Sequence, residues 1–231
     1  MIEYRKQLII ERNQISYLLN NEKEKIGQLQ CNSGIVSDSG GWCKKDSSID
    51  SKEHMTDIQL AEYISRLLKG KRVGSFGDGP GLYKKYFDET NALKAYDAYD
   101  GAPFAEETSE GKVMFLDLSV PQYGLPIYDW IISLEVAEHI PQEYEEIFLS
   151  NLVRHATIGI ILSWAEPGQG GHFHVNNRPL EYVIGAMKRL GFDQDQKGSF
   201  LLQSHASFEW LASNAQVYRR QINSSLVTED A

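Results

Sequence analysis

The stretch Val73-Gly74-Ser75-Phe76-Gly77-Asp78-Gly79-Pro80-Gly81 decides the fold. A short strand, Arg72–Phe76, enters three glycines at alternate positions, and a helix starts at Leu82–Phe87. Glycine allows the tight turn and lets a ligand approach the backbone with no Cβ in the way. The spacing is G-x-G-x-G. Dinucleotide binding asks for a third glycine three residues after Gly79, where Leu82 stands, and no Gly-Lys-Ser/Thr follows to make a phosphate loop. Such a turn also serves as a plain strand-to-helix connection.

Outward from it, helices and strands alternate. Met55–Leu68 has helical spacing and ends at Gly70. Leu93–Tyr99 reads as a strand closed by Asp100-Gly101, and Lys112–Leu116 as a strand closed by Asp117. Tyr128–Ser133 is a strand and Tyr144–His155 a helix. Ile158–Trp164 is nearly continuous in apolar residues, as a strand buried on both faces would be. Pro179–Leu190 is a helix opened by proline. The tail predicts strands at Ser199–Ser204 and Gln216–Arg219 around a helix at Phe208–Asn214. This alternation predicts a parallel sheet covered on both faces, with ligands beyond the carboxyl ends of its strands.

Residues 1–54 form a separate unit before the domain at 55–231. Residues 4–30 predict a helix with an incomplete apolar stripe of Leu8, Ile9, Ile15, Leu18, Leu19, Ile26 and Leu29. The stripe lapses at Asn20–Lys25, which argues against a coiled coil and for a cap on the main domain or on a second subunit of a homodimer. Residues 31–54 lose periodicity. Trp42, between Gly41 and Cys43, is a large ring in a Gly-rich loop, suited to anchoring a linker or covering a ligand.

The whole chain has 231 residues and a net charge of −9, which disfavours general binding of a phosphate backbone. No apolar run reaches the roughly 18 residues of a membrane span. The N-terminus lacks the apolar region of a signal peptide. Cys31 and Cys43 are too few for a disulfide framework; they could pair with each other, but free thiols in the cytoplasm are the expectation.

Acidic residues fall at the ends of the strands. Asp100 lies about 20 residues past the glycines, where a carboxylate accepts from both hydroxyls of a ribose. Asp97 is the competitor if the strand ends earlier. Asp117 could accept from an adenine amino group. Each carboxylate singly also serves as a solvated strand end or cap.

Val73–Gly81, the Asp100 strand end, Phe115-Leu116-Asp117-Leu118 and the run from Tyr128 through Glu135-Val136-Ala137-Glu138-His139-Ile140-Pro141 resemble the successive motifs of class I S-adenosylmethionine-dependent methyltransferases, in their small-molecule, type 11/12-like branch. The resemblance implies a Rossmann-like α/β fold: a seven-stranded, mostly parallel sheet with helices on both faces and an antiparallel terminal strand. It implies S-adenosylmethionine held by Gly77, Asp78, Gly79, Gly81, Asp100, Asp117, Leu118 and Glu135, and methyl transfer to an oxygen or nitrogen of a small molecule. Ser75 departs from it, since the family usually has an acid there, and so does Asp78, where a small neutral residue is common. These departures motivate the alternative of a binding protein without turnover.

Catalytic candidates lie beyond the fourth and fifth strands: Glu138, His139 and His174, as base or substrate ligands. The loop Gly168–Asn176 suits a mobile lid. Glu135, Glu138 and His139 converge if their loop is helical, and carboxylate with imidazole suits a hard or borderline cation. The arrangement is similar to that of O-methyltransferases of the ubiquinone pathway and of small-RNA 3′ ends, some of which hold a diol with a metal. Many relatives with the same letters use none, and no residue is assigned here as a metal ligand.

Overall fold

In the computed structural model, which describes residues 2–39, 42–43 and 54–221, the Gly-rich stretch leaves the middle of a seven-stranded sheet. The strands are β1 (Arg72–Phe76), β2 (Ala95–Asp100), β3 (Val113–Phe115), β4 (Tyr128–Ser133), β5 (Ala156–Leu162), β6 (Phe192–Gln194) and β7 (Gln216–Arg220). Their spatial order is β3-β2-β1-β4-β5-β7-β6. The first five run parallel, and β7 lies antiparallel between β5 and β6. This is the Rossmann-like sheet expected, with its antiparallel end.

The order of strands reverses at β1. The chain moves outward through β2 and β3, then returns to place β4 on the other flank of β1, with Ser75 beside both Ala98 and Ile132. Open α/β sheets bind ligands at such a switch point. Here it sets the glycine turn against the loop after β4. Gly77 has φ 97°, and a Cβ on it would lie 2.1 Å from Val136 Cγ2, so both the turn and the close approach demand glycine.

Both faces are covered. On one, Phe76, Tyr128, Ile131 and Ile160 pack with Phe148 and Leu152 of α5 (Glu145–His155) and Met187 of α6 (Leu180–Arg189). On the other, Val73, Trp130, Ile161 and Val217 pack with Leu60 and Ile64 of α2 (Ile58–Leu67) and Phe87 of α3 (Leu82–Thr90). The start of α2 is set by Asp57, which accepts from Leu60 N–H and also from Ser207 and Phe208.

One tail assignment is corrected. Ser199–Ser204 is not a strand but part of helix α7 (Gln196–Ser204). Asp195 caps it by accepting from Gly198 N–H, and Leu202 is buried while Phe200 and Leu201 stay exposed. The strand on that side is the shorter Phe192–Gln194, which pairs with β7. The helix at Glu209–Asn214 (α8) matches expectation.

The N-terminal helix α1 (Ile2–Asn32) lies against the β2–β3 side with its polar face inward. Ser16 is buried and donates to Pro121 O; Asn20 donates to Phe115 O and accepts from Asp117 N–H; Gln28 donates to Pro103 O. Leu8, Ile15, Leu18, Ile26 and Leu29 are all exposed. Cys31 and Cys43 are joined by a disulfide rather than free, because the end of α1 and the following turn bring their Cα atoms to 5.5 Å.

No helix among the described residues is long and apolar enough to cross a membrane. The expected 54/55 boundary adjoins residues 44–53, which lie outside the described residues, as do residues 222–231.

Candidate active site

The carboxyl edge of the sheet brings the candidate residues into two groups. The first surrounds the glycine turn. Gly77 N–H and Asp78 N–H both donate to Tyr99 O at 2.8 Å, locking the turn to the end of β2. Gly79 N–H donates to Asp100 Oδ2 at 2.7 Å, and Ala102 N–H to Asp100 Oδ1 at 2.9 Å. Asp100 therefore faces the turn. Asp97, two residues in from Tyr99, instead accepts from the Tyr128 hydroxyl. Burial raises the Asp100 pKa, and donors from Ala102, Gly79 and the Trp42 side chain pull it back.

Asp78 is buried, and both its oxygens are occupied. Tyr96 donates its hydroxyl to Oδ1 at 2.6 Å, and Lys84 N–H reaches Oδ2 at 3.2 Å. Burial pushes its carboxyl up to about 6 against these hydrogen bonds. Gly81 ends the turn as the N-cap of α3.

Asp117, beyond β3, accepts from Ser119 N–H and Oγ–H through Oδ1. Its Oδ2 has no hydrogen-bond partner, with Lys23 Nζ of α1 at 3.7 Å. Leu118 is buried in the core beside Leu116 and Phe148.

The second group lies beyond β4 and β5. Glu135 follows β4 with φ 56°, an uncommon backbone for a non-glycine residue, held by Ser163, whose Oγ accepts from Glu135 N–H and donates to its Oε1. A 3-10 turn, Ala137–His139, then sends the Glu138 side chain inward. Glu138 is 0% exposed, and neither carboxylate oxygen has a hydrogen-bond partner. Burial and the neighbouring Glu135 push its carboxyl up to about 8; the N–H groups of Glu138 and Ala165 oppose this weakly.

His174 meets Glu138 from the opposite loop, Nε2 to Oε1 at 3.9 Å, and its buried Nδ1 has no partner. His139 stacks edge-on against His174 with ring centroids 5.1 Å apart. Its Nδ1 lies 3.3 Å from Phe173 O. A carbonyl only accepts, so Nδ1 carries the proton and Nε2 keeps its lone pair. Burial and His174 lower the His139 pKa. One ligand atom from each of Glu138, His139 and His174 fits within a 4.8 Å span, the geometry of a cation site.

The loop expected to be a lid is anchored at its far end. Val175 and Asn176 N–H both donate to Glu138 O, Trp164 Nε1 donates to Asn176 O, and Asn176 Nδ2 donates to Glu145. These bonds press His174 onto Glu138. Sequence reasoning missed Asn214, at the end of α8, whose Nδ2 reaches Glu135 Oε1 at 3.3 Å and whose buried Oδ1 is unpaired. No periodicity or motif marks it.

No protein-family model and no curated protein sequence matches the chain. Solved structures do. Magnesium protoporphyrin IX methyltransferase from Synechocystis PCC 6803, with S-adenosylhomocysteine bound, superposes with a TM-score of 0.52 at 18% identity, over 71% of this chain and 83% of that one. The sugar N-methyltransferase KedS8 of Streptoalloteichus gives 0.54 at 13% identity, over 71% and 87%. The methyltransferase domain of bacterial CtHen1 gives 0.50 at 14%, over 71% and 98%. At these identities the likeness is one of fold: the chain has the class I methyltransferase fold.

Proposed function

We propose that the chain is an S-adenosylmethionine-dependent methyltransferase that acts on an oxygen of a small molecule with the help of a divalent cation. The observation that carries this is the orphaned cluster beside the glycine turn: two Glu138 oxygens and His174 Nδ1, buried with no partner, at the ligand-binding edge of a methyltransferase fold. A buried, unpaired carboxylate costs several kcal/mol and is retained where a ligand satisfies it.

S-adenosylmethionine supplies an electrophilic methyl group on a sulfonium. The chain's part is to seat and orient it. The glycine turn gives its backbone room and Asp100 takes the ribose hydroxyls, with Asp117, Leu118 and Glu135 along the same edge. Glu138, His139 and His174 would hold a divalent cation, which would lower the pKa of an acceptor hydroxyl. Phe173 O accepts the hydrogen bond from His139 Nδ1–H, which leaves Nε2 as the nitrogen with a lone pair for a cation. Asn176 and Trp164 hold the His174 loop in place. The net charge of −9 favours a small molecule over nucleic acid as acceptor. The exposed stripe of α1 is assigned to a homodimer, for which sedimentation velocity should give twice the monomer mass.

The test is calorimetric titration of the whole protein with S-adenosylhomocysteine, with and without magnesium or manganese. Micromolar binding is expected, with a cation-dependent enthalpy that Glu138→Gln removes. No binding in either condition overturns the reading in favour of a binding protein without turnover.

A further inference from the structure

Asn214 is 3% exposed, and its Oδ1 is buried with no hydrogen-bond partner. It closes α8, just ahead of β7. Gln216 of β7 lies opposite Leu162 of β5 in antiparallel register. Asn214 therefore stands beyond the carboxyl end of β5, on the edge that carries the rest of the site.

Its neighbours fix the orientation of the amide. Nδ2 lies 3.3 Å from Glu135 Oε1 and 3.4 Å from Gln169 Oε1. Glu166 N–H donates to the same Gln169 oxygen, which marks that atom as an acceptor. Turning the Asn214 amide over would set Oδ1 against two acceptors. Both Nδ2 hydrogens are thus spent. Ser163 also spends its hydroxyl proton on Glu135 Oε1, and accepts from Glu135 N–H in return. The bond lengths of the amide keep Oδ1 within about 6 Å of Glu135 Oε1.

A buried acceptor therefore sits beside a carboxylate, and no donor among the described residues reaches it. Leaving such an atom unmet costs stability. A ligand carboxylate or phosphate would only add acceptors and negative charge. What suits the place is a group with several donors and a positive charge. A primary ammonium has three donors on one compact charge, enough to meet a carboxylate and an amide oxygen together.

We propose that Asn214 Oδ1 and the Glu135 carboxylate form a subsite for the protonated primary amine of a ligand. Two ligands of a methyltransferase can bring one: the amino-acid end of S-adenosylmethionine, or an acceptor that carries an amine besides its reacting oxygen. The choice of these two rests on the methyltransferase reading above. The subsite itself rests on the orphaned oxygen and its charged neighbour.

Two pairs of probes, each differing by the amine alone, test it by calorimetry on the full chain. The first is S-adenosylhomocysteine and its des-amino analogue, which keeps the carboxylate. The second is tyramine and 4-ethylphenol, with magnesium and saturating S-adenosylhomocysteine. One pair should show at least a tenfold preference for the amine, and which pair shows it identifies the source. Asn214→Leu should abolish that preference, and Asn214→Asp, which keeps an acceptor there, should retain it. Equal affinity within both pairs overturns the subsite, as does a preference that survives Asn214→Leu. If Asn214→Leu fails to fold, Glu135→Gln, which keeps the shape and removes the charge, should cut the preference, and an unchanged preference overturns the subsite. Failure of S-adenosylhomocysteine to bind sinks the cofactor reading alone, and the tyramine pair run without it then decides the subsite.

Discussion

Asp100 and Glu138 are both carboxylates buried at the carboxyl edge of one sheet, and the chain treats them in opposite ways. Asp100, 8% exposed, collects donors from Gly79 and Ala102. Glu138, 0% exposed, collects none. The first is built into the fold, since its donors come from the turn and strand end that it holds together. The second is a cost the fold carries, offset only when something else occupies the site. A saturated acid marks the half of the site that the architecture itself makes, and an orphaned acid marks the half that awaits a ligand.

Four perturbations break or sharpen that contrast. Asp100→Ala should have the largest effect. It strands buried donors, costing about 3 kcal/mol in urea unfolding, and should weaken S-adenosylhomocysteine binding about 100-fold. Retained affinity would show that Asp97 or another group holds the ribose.

The second perturbation is pH, through Asp78. Its carboxyl sits at about 6 in the fold, above its ordinary 3.8, because of burial. The folded chain therefore binds this proton more tightly than the unfolded one. Its penalty is absent below about pH 4, grows as pH rises to 6, and is fully present above. The loss is on the order of 2 to 3 kcal/mol. Denaturant melts from pH 4 to 7 should show that fall on top of the one from Glu138, whose carboxyl is pushed up to about 8, and Asp78→Asn should remove the Asp78 part and leave the rest.

Glu138→Leu tests the other acid, with the opposite sign to Asp100→Ala. Removing an unpaired buried carboxyl should raise stability by about 1 to 2 kcal/mol while abolishing any cation-dependent enthalpy. A loss of stability would mean that Glu138 has a partner within the chain. Gly171→Ala should be mildest. A Cβ there would lie 2.0 Å from His174 Nε2, so the ring must move. Manganese affinity should drop about tenfold, with the melting temperature nearly unchanged because the loop is exposed.

Much of the first half was legible in the sequence. Short apolar runs, helices of period 3.6 and glycines at alternate positions are local signals, and they placed β1, β2, β4 and β5, the turn, and Asp100 at a strand end. The tail was less legible. Phe200-Leu201-Leu202 fits either period, and the Asp195 cap together with burial of Leu202 decided for a helix. Free thiols were expected over the Cys31–Cys43 pair because nothing in a 12-residue separation shows that a helix end and a turn will bring the two cysteines together.

The sequence by itself determined the alternation of strands and helices, the glycine turn and the acids at the strand ends, because each is written in neighbouring residues. Tertiary structure alone decided which polar atoms are satisfied. Asn20 meets Asp117, and His174 meets Glu138, across long stretches of chain. A hydrogen bond depends on ångström placement of atoms from distant segments, whereas periodicity constrains only which face a residue occupies.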